Sequence, residues 1–320
     1  MWGRVRRMTG LRRERQTTLR RGATVSGIGV HSGREATVTL RPAEANAGVT
    51  FYHANRRDRA IPARLSHVAA TNRCTSVGVP GDAMIATVEH LLAALSAAGV
   101  DNAAIDVDGP EVPIMDGSAG AFMDAVDEAG VERLDAPLRY IKITETVRVE
   151  DGLSYAEFTP YNGRRIEVEI DFDSPLIGRQ KFAADVDGAF RSEIARARTF
   201  GFLAEVEQLW ARGFARGASL ENAVVLGEDR VINPEGLRFS DEFVRHKVLD
   251  AVGDLALAGV PILGRYRSYR GSHRLNVMAL QVLFERQEAW TFVEAPQRRR
   301  ESAHADLPAG LAVAYGMDAT

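Results

Sequence analysis

The sequence predicts an α+β fold made of two similar domains. The chain has 320 residues, about twice the length of a common domain. Hydrophobic residues make up 45% of it, which is enough to build sizeable cores and excludes disorder as the main state. The order hairpin, helix, strand, helix occurs twice along the chain. We therefore expect one α+β domain over residues 16–136 and a second over residues 137–294.

The elements of the first half follow from alternation and helical periodicity. Residues 23–52 alternate as strands do, with a proline turn at 42–48 that predicts a hairpin. The pattern becomes helical over 85–98, a short strand follows at 103–107, and Ser118 is placed to cap a second helix. A glycine directly follows each of these helices, which is a common helix end.

The second half repeats this plan. Residues 155–172 predict another hairpin with a proline turn. Helical patterns follow near 200–212 and 241–258, with strand-like segments between them, and a last helix is expected near 275–288.

Both ends of the chain are predicted to be tails. Residues 1–15 are rich in arginine, and eight of the first 21 residues are arginines. Three interpretations of this segment stay open: a solvated tail, a segment that contacts anionic lipid, or a translation start assigned too early, with Met8 as the true first residue. Residues 295–320 are polar and are expected to form a loose tail.

Composition excludes several classes of protein. The formal net charge of −3 gives no electrostatic reason to expect a nucleic-acid partner. No apolar run resembles a signal peptide or reaches the roughly 18 residues of a membrane span. The single cysteine, Cys74, allows neither an intrachain disulfide nor an all-cysteine metal site. The cytoplasm is therefore the expected compartment.

The most informative segment is the predicted helix over 241–258. His246, Asp250 and Asp254 recur every four residues and so form one polar stripe opposite an apolar face. An imidazole and a carboxylate at this spacing can both reach one divalent ion. A solvated helix face with a weak His–Asp hydrogen bond is the alternative.

A second polar pair begins the otherwise apolar helix over 85–98. Glu89 and His90 are adjacent, so their side chains point about 100° apart and serve one site only at the helix end. A catalytic zinc takes three protein ligands and a water, and a free carboxylate can accept a proton from that water. His90 would be the third ligand and Glu89 the base. The alternative is a glutamate that favours the helix dipole and a histidine packed at a domain seam.

A third histidine, His273, follows a glycine and a serine between a strand and a helix. Asp254 can orient its imidazole and favour the cationic form, which acts as a general acid. A helix-terminal histidine without a role is the alternative. Lys247, one of only three lysines, lies beside the predicted ligand His246, although chance explains this position equally well.

Three other features have simple structural explanations. Thr199 is placed either to bond a developing oxyanion or to cap the next helix. Cys74 either packs as a small residue or borders the site. The alternating glycines of 27–33 lie between strands, so they are no dinucleotide-binding turn.

Nucleophilic catalysis by serine or cysteine is disfavoured, since no GxSxG motif occurs and no histidine motif lies near Cys74.

Five motifs occur in order along the chain: TVEHLLAAL (87–95), GPEVPIMDGSA (109–119), ARTFGF (197–202), GLRFSDEFVRHKVLDAVGDL (236–255) and GSH (271–273). Together they resemble the UDP-3-O-acyl-N-acetylglucosamine deacetylases of Gram-negative bacteria. The resemblance implies two α+β domains packed helix against helix, with the active site between them. It also implies a zinc hydrolase that removes acetate from the glucosamine nitrogen of a UDP-linked, 3-O-acylated sugar, an early step toward lipid A.

The resemblance implies a role for each candidate residue. The residues that match the family's metal and proton-transfer positions are His90, His246 and Asp250 as zinc ligands, Glu89 as general base, His273 as the acid that protonates the leaving amine, Asp254 as its partner and Thr199 at the oxyanion. On the substrate side the resemblance implies Lys247, Phe200 and Leu176, the last within a segment (174–178) that matches the lining of an acyl-chain passage. Cys74 is also expected on the substrate side, as a residue that borders the site and not as a family match.

Two other functions stay open at this point. One is a noncatalytic module that binds a nucleotide sugar or a lipid, and the other is a zinc amidohydrolase that acts on a different N-acyl sugar. Fe²⁺ is an alternative to Zn²⁺, because two histidines and an aspartate accept either ion. We expect a monomer whose partner is the UDP-linked sugar, with at most peripheral contact with a membrane.

Overall fold

The computed structural model describes residues 13–294. The elements of the first half are the strands β1 (Arg15–Leu19), β2 (Ala23–Ile28), β3 (Glu35–Pro42), β4 (Val49–His53), β5 (Arg56–Pro62), β6 (Val68–Ala70), β7 (Ser76–Gly78), β8 (Met84–Ile85), β9 (Ala103–Asp108) and β10 (Val131–Pro137), and the helices α1 (Glu89–Ala98) and α2 (Gly120–Ala129). The elements of the second half are the strands β11 (Arg139–Ile143), β12 (Val147–Asp151), β13 (Ser154–Thr159), β14 (Arg164–Asp171), β15 (Arg179–Asp185), β16 (Phe200–Phe202), β17 (Val224–Leu226), β18 (Ile262–Tyr269) and β19 (Trp290–Glu294), and the helices α3 (Val186–Ala189), α4 (Val206–Ala211), α5 (Glu242–Leu255) and α6 (His273–Glu285).

The two halves have the same sheet topology. The first sheet has the strand order β2-β3-β9-β4-β5, and the second contains the matching order β12-β13-β18-β14-β15. In each, the central strand is antiparallel to one neighbour and parallel to the other. The antiparallel pair β1–β10 also has its counterpart in β11–β19. The predicted α+β class with two similar halves is confirmed, while the domain boundary at residues 136–137 stays a prediction.

Both predicted hairpins are wrong. β3 and β4 do not pair with each other but lie on either side of β9, and β13 and β14 likewise flank β18. Each pair of strands is therefore separated by two strand spacings, roughly 9.6 Å. A turn of several residues spans that gap, and the central strand arrives from much later in the chain.

Several helix boundaries differ from the prediction. α1 begins at Glu89 because Met84 and Ile85 form the short strand β8, and it ends at Gly99, whose φ of 73° is left-handed. Ser118 lies two residues before α2, where its Oγ accepts the N–H of Gly120 at 3.1 Å. The segment 200–212 begins with a strand, and its only α-helix is α4.

The termini are only partly described. Residues 1–12 and 295–320, which include most of the predicted arginine-rich start and the whole polar end, lie outside the described residues. Arg13 forms a salt bridge with Asp101 at 2.7 Å, and β1 begins at Arg15, so the predicted N-terminal tail joins the fold by its last residues. Within residues 13–294, no helix is long and apolar enough to cross a membrane.

The halves meet where α1 packs against α5. Buried leucines and valines of both helices belong to one apolar cluster that includes residues of both halves. The helix backbones approach each other closely at Gly253, where a Cβ added to the glycine would lie 2.0 Å from the carbonyl oxygen of Glu89. A glycine is therefore required at this contact, since any side chain would push α5 away from α1.

We predict that Gly253→Ala destabilises the protein by about 1–3 kcal/mol, because the added methyl group overpacks the helix contact. Thermal unfolding followed by circular dichroism measures the change. Gly188→Ala is the matched control, since nothing lies within 4 Å of a Cβ at that position. Equal losses of stability in the two variants would contradict the close-contact explanation.

Candidate active site

Three buried residues from α1 and α5 form a group that can hold a metal ion. His90, His246 and Asp250 each offer one ligand atom, and these atoms lie within 4.8 Å of one another. The Nε2 atoms of His90 and His246 lie 3.6 and 3.3 Å from Oδ1 of Asp250. That oxygen is buried and accepts no hydrogen bond from the described residues. An unsatisfied buried carboxylate oxygen facing two imidazoles fits a divalent cation.

His246 is held in the form that binds metals. Its Nδ1 lies 3.0 Å from the carbonyl oxygen of Ala197, which can only accept, so Nδ1 carries the hydrogen. Burial lowers the pKa of His246 to about 3, and the neutral ring keeps a lone pair on Nε2. The sequence does not predict the Ala197 contact, because a backbone carbonyl from a distant segment has no residue signature.

Glu89 and His273 lie close to each other beside the group. Oε2 of Glu89 accepts the N–H of Thr75 at 3.1 Å, and its Oε1 lies 3.7 Å from Nε2 of His273. Burial raises the pKa of Glu89. Burial alone would lower the pKa of His273, but the charges of Asp254, Glu89 and Asp250 outweigh it and raise that pKa to about 9. A carboxylate that is easily protonated therefore lies beside a stable imidazolium.

Asp254 anchors this imidazolium. Its Oδ2 lies 2.9 Å from Nδ1 of His273 and also accepts the side-chain amide N–H of Asn276 at 2.8 Å. Its Oδ1 accepts the hydroxyl hydrogen of Thr75 at 2.6 Å. Thr75 and Asn276 are not among the residues predicted from the sequence. Asn276 lies three residues after His273 on α6, a spacing that does indicate a shared helix face.

Lys247 and Phe200 border the group on another side. Nζ of Lys247 donates to Oδ2 of Asp250 at 2.8 Å and lies 5.8 Å from the centre of the Phe200 ring. Burial would lower the pKa of Lys247, but the charge of Asp250 raises it. The rings of Phe200 and Phe243 meet edge to face, with centroids 5.0 Å apart. A cation and an aromatic face thus adjoin the His-His-Asp group.

Thr199 is held through its backbone. Its N–H donates to the carbonyl of Gly117 at 2.8 Å, and its own carbonyl accepts the N–H of Val224 at 2.8 Å. Because the strand β16 follows it, the helix-capping alternative for Thr199 is wrong. It lies two residues after Ala197, which bonds His246.

Cys74 is buried beside the site. Burial, followed by the charge of Glu89, raises the pKa of its thiol to about 12, so the thiolate needed for nucleophilic attack is scarce at neutral pH.

Leu176 is half-buried in the turn between β14 and β15 and packs against the apolar cluster. Four residues earlier, Phe172 meets Phe200 edge to face at 5.8 Å. The turn is thus joined to the Phe200 side of the site by aromatic contacts.

Comparisons with known proteins agree with this geometry. A family model described as LpxC: UDP-3-O-acyl N-acetylglycosamine deacetylase matches residues 16–285. Proteins named UDP-3-O-acyl-N-acetylglucosamine deacetylase from Brucella ovis and Brucella abortus are 54% identical to this chain over 283 residues. The matches cover 88% of this chain and 99% of each relative.

Proposed function

The chain belongs to the UDP-3-O-acyl-N-acetylglucosamine deacetylase family, and on that premise we propose that it is a zinc-dependent deacetylase of lipid A biosynthesis. Its substrate is UDP-3-O-(3-hydroxyacyl)-N-acetylglucosamine, and its products are acetate and the free amine. The observation that carries this proposal is the juxtaposition of a buried His-His-Asp group with a carboxylate and an imidazolium on one side of it. Metal-assisted hydrolysis of an amide uses these three components: a metal, a base and an acid.

The donor set favours zinc. His90, His246 and Asp250 would supply three nitrogen and oxygen ligands and leave a fourth position open, as in catalytic zinc sites. Fe²⁺ is the alternative ion for the same donors. When bound, a divalent ion supplies Lewis-acid chemistry, which polarises the acetyl carbonyl and makes water more acidic.

Glu89 acts as the general base. Its Oε2 is engaged by the N–H of Thr75, so Oε1 is the oxygen left to accept a proton from water. Water then adds to the acetyl carbonyl carbon, and the Thr199 hydroxyl donates to the developing oxyanion. Because burial raises the pKa of Glu89, the carboxylate gains a proton more readily than an exposed glutamate does.

His273 acts as the general acid. Its Nδ1 is bound to Asp254, so Nε2 carries the proton that passes to the glucosamine nitrogen. The C–N bond then breaks and releases the neutral amine and acetic acid, which loses its remaining proton to solvent and becomes acetate. Without that proton, the leaving group would be a strongly basic amide anion, so protonation is required for the bond to break.

The substrate contacts follow from the surrounding groups. The ammonium of Lys247 and the ring of Phe200 adjoin the metal ligands and are proposed to contact the sugar side of the substrate. Leu176 is proposed to line the acyl passage, and Cys74 to border the bound substrate. We also propose that the protein acts as a monomer in the cytoplasm, where its single cysteine stays reduced.

The central prediction concerns acetate release by the purified protein. Release from UDP-3-O-(3-hydroxyacyl)-N-acetylglucosamine should vanish after chelation and return when zinc is restored, because the base alone does not polarise the carbonyl. No release by a folded, zinc-loaded protein would favour another N-acyl sugar or a binding role.

Glu89→Gln should reduce the rate of acetate release by about 10²–10⁴-fold. Glu150→Gln is the matched control and should keep the native rate, because Glu150 is exposed.

The opposite protonation states of Glu89 and His273 predict a bell-shaped dependence of kcat/KM on pH. Activity falls in acid as Glu89 gains a proton, with a midpoint above the ordinary glutamate pKa. It falls in alkali as His273 loses its proton, near pH 9. His273→Ala should remove the alkaline limb. A profile without an acidic limb in both the native protein and Glu89→Gln would refute the assignment of the base.

The proposed acyl passage predicts a selective effect of Leu176→Asp. A long apolar chain would have to remove water from the partly buried charge, which is costly, so KM should rise several-fold for long-acyl substrates and change little for short ones. Leu153→Asp is the control, since Leu153 is 80% exposed. An equal rise in KM for both chain lengths would count against a passage at this position.

A further inference from the structure

A buried ion pair lies next to the metal group without contacting it. Arg198 is 1% exposed and Glu242 is fully buried. Nε and Nη2 of Arg198 donate to the two carboxylate oxygens of Glu242 at 2.9 and 3.2 Å, and the N–H of Arg198 donates to Oε1 at 3.0 Å. The pair therefore joins the backbone at residue 198 to the start of α5.

The pair adjoins both partners of the hydrogen bond that orients His246. Ala197, whose carbonyl accepts from His246, directly precedes Arg198. Glu242 is the first residue of α5, and His246 lies four residues later, one turn along the same face. A shift between residue 198 and the start of α5 would thus change the distance or angle between Ala197 and His246.

The remaining contacts make the pair rigid. Arg198 also donates to the carboxylate of Glu235 at 2.6 Å and to the carbonyl of Gly236 at 2.7 Å. Oε2 of Glu242 accepts the N–H of Arg238 at 2.6 Å. Both charged groups therefore have their polar atoms satisfied in the interior, and the segment that leads into α5 is tied to the same carboxylate.

Stability alone is a weak reason for such a pair, because the cost of removing two charges from water largely cancels their attraction. The pair is better explained by the geometry that it imposes on the residues around it. We infer that Arg198 and Glu242 are positioning residues that hold the Ala197 carbonyl against Nδ1 of His246 and thereby set the metal affinity of the site. This inference rests on the proposed function, which requires a metal at His246.

The expected effect is a loss of metal affinity. Groups that orient a metal-binding histidine typically contribute 10–100-fold to affinity. Glu242→Gln keeps the shape of the side chain but replaces one acceptor by an NH₂ group, which faces N–H donors. Arg198→Lys keeps the charge but loses the planar fork. Both variants should raise the dissociation constant for Co²⁺ and Zn²⁺ by about 10-fold or more.

The experiment titrates metal-free protein with Co²⁺, followed by its visible absorption, and then displaces Co²⁺ with Zn²⁺. Asp101→Asn is the matched control, because Arg13 donates two hydrogen bonds to the carboxylate of Asp101, at 2.7 and 3.0 Å, just as Arg198 donates to the carboxylate of Glu242. Thermal unfolding of each metal-free variant is measured alongside. Weaker binding and an altered Co²⁺ spectrum in Glu242→Gln and Arg198→Lys, with unchanged binding in Asp101→Asn, would support the inference.

Native affinity in Glu242→Gln would overturn the inference, even if that variant melts earlier. Failure of both variants to fold would overturn it as well, since the role of the pair would then be structural. If the native protein binds no metal, the proposed function itself fails, because that function requires the metal site.

Discussion

The backbone contact between α1 and α5 is the constraint on which the rest of the structure depends. At Gly253 the two helices approach so closely that a Cβ would lie 2.0 Å from the carbonyl of Glu89. That approach brings His90 of one helix within 3.6 Å of Asp250 of the other. It also leaves Glu89, the neighbour of His90, facing His273. A wider spacing would separate His90 from His246 and Asp250. It would also move Glu89 away from His273, because His273 on α6 is bound to Asp254 of α5.

Neighbouring charges give the buried ionisable groups of the site their different properties. His246 has its main charged neighbour in Asp250, and burial lowers its pKa to about 3. His273 is also buried, yet three carboxylates surround it and raise its pKa to about 9. Two histidines within one small site thus take opposite charge states, one as a neutral ring and the other as a stable cation. The difference arises from the neighbouring charges and not from the degree of burial, since His246 lies beside Lys247 and His90, which lower its pKa, as well as Asp250.

Helical spacing made the centre of the site predictable. His246, Asp250 and Asp254 share a stripe because a helix repeats every 3.6 residues, and that relation needs no tertiary information. Thr75 and the Ala197 carbonyl were not predictable in this way, since each reaches the site from a separate segment and one of them is a backbone atom. The wrong hairpins have the same origin. The strands β9 and β18 insert between neighbours in sequence, and local turn signals do not report non-local pairing.

The duplicated topology places two related helices in contact, but their residues are used asymmetrically. The first half contributes His90 of the His-His-Asp group together with Glu89, whereas the second contributes His246, Asp250 and His273. Neither half alone holds a complete site. An ion bound by His90 on one side and by His246 and Asp250 on the other would therefore stabilise the docked halves, since its binding energy is available only when they meet. Metal affinity and the α1–α5 contact accordingly depend on the same docking of the two halves.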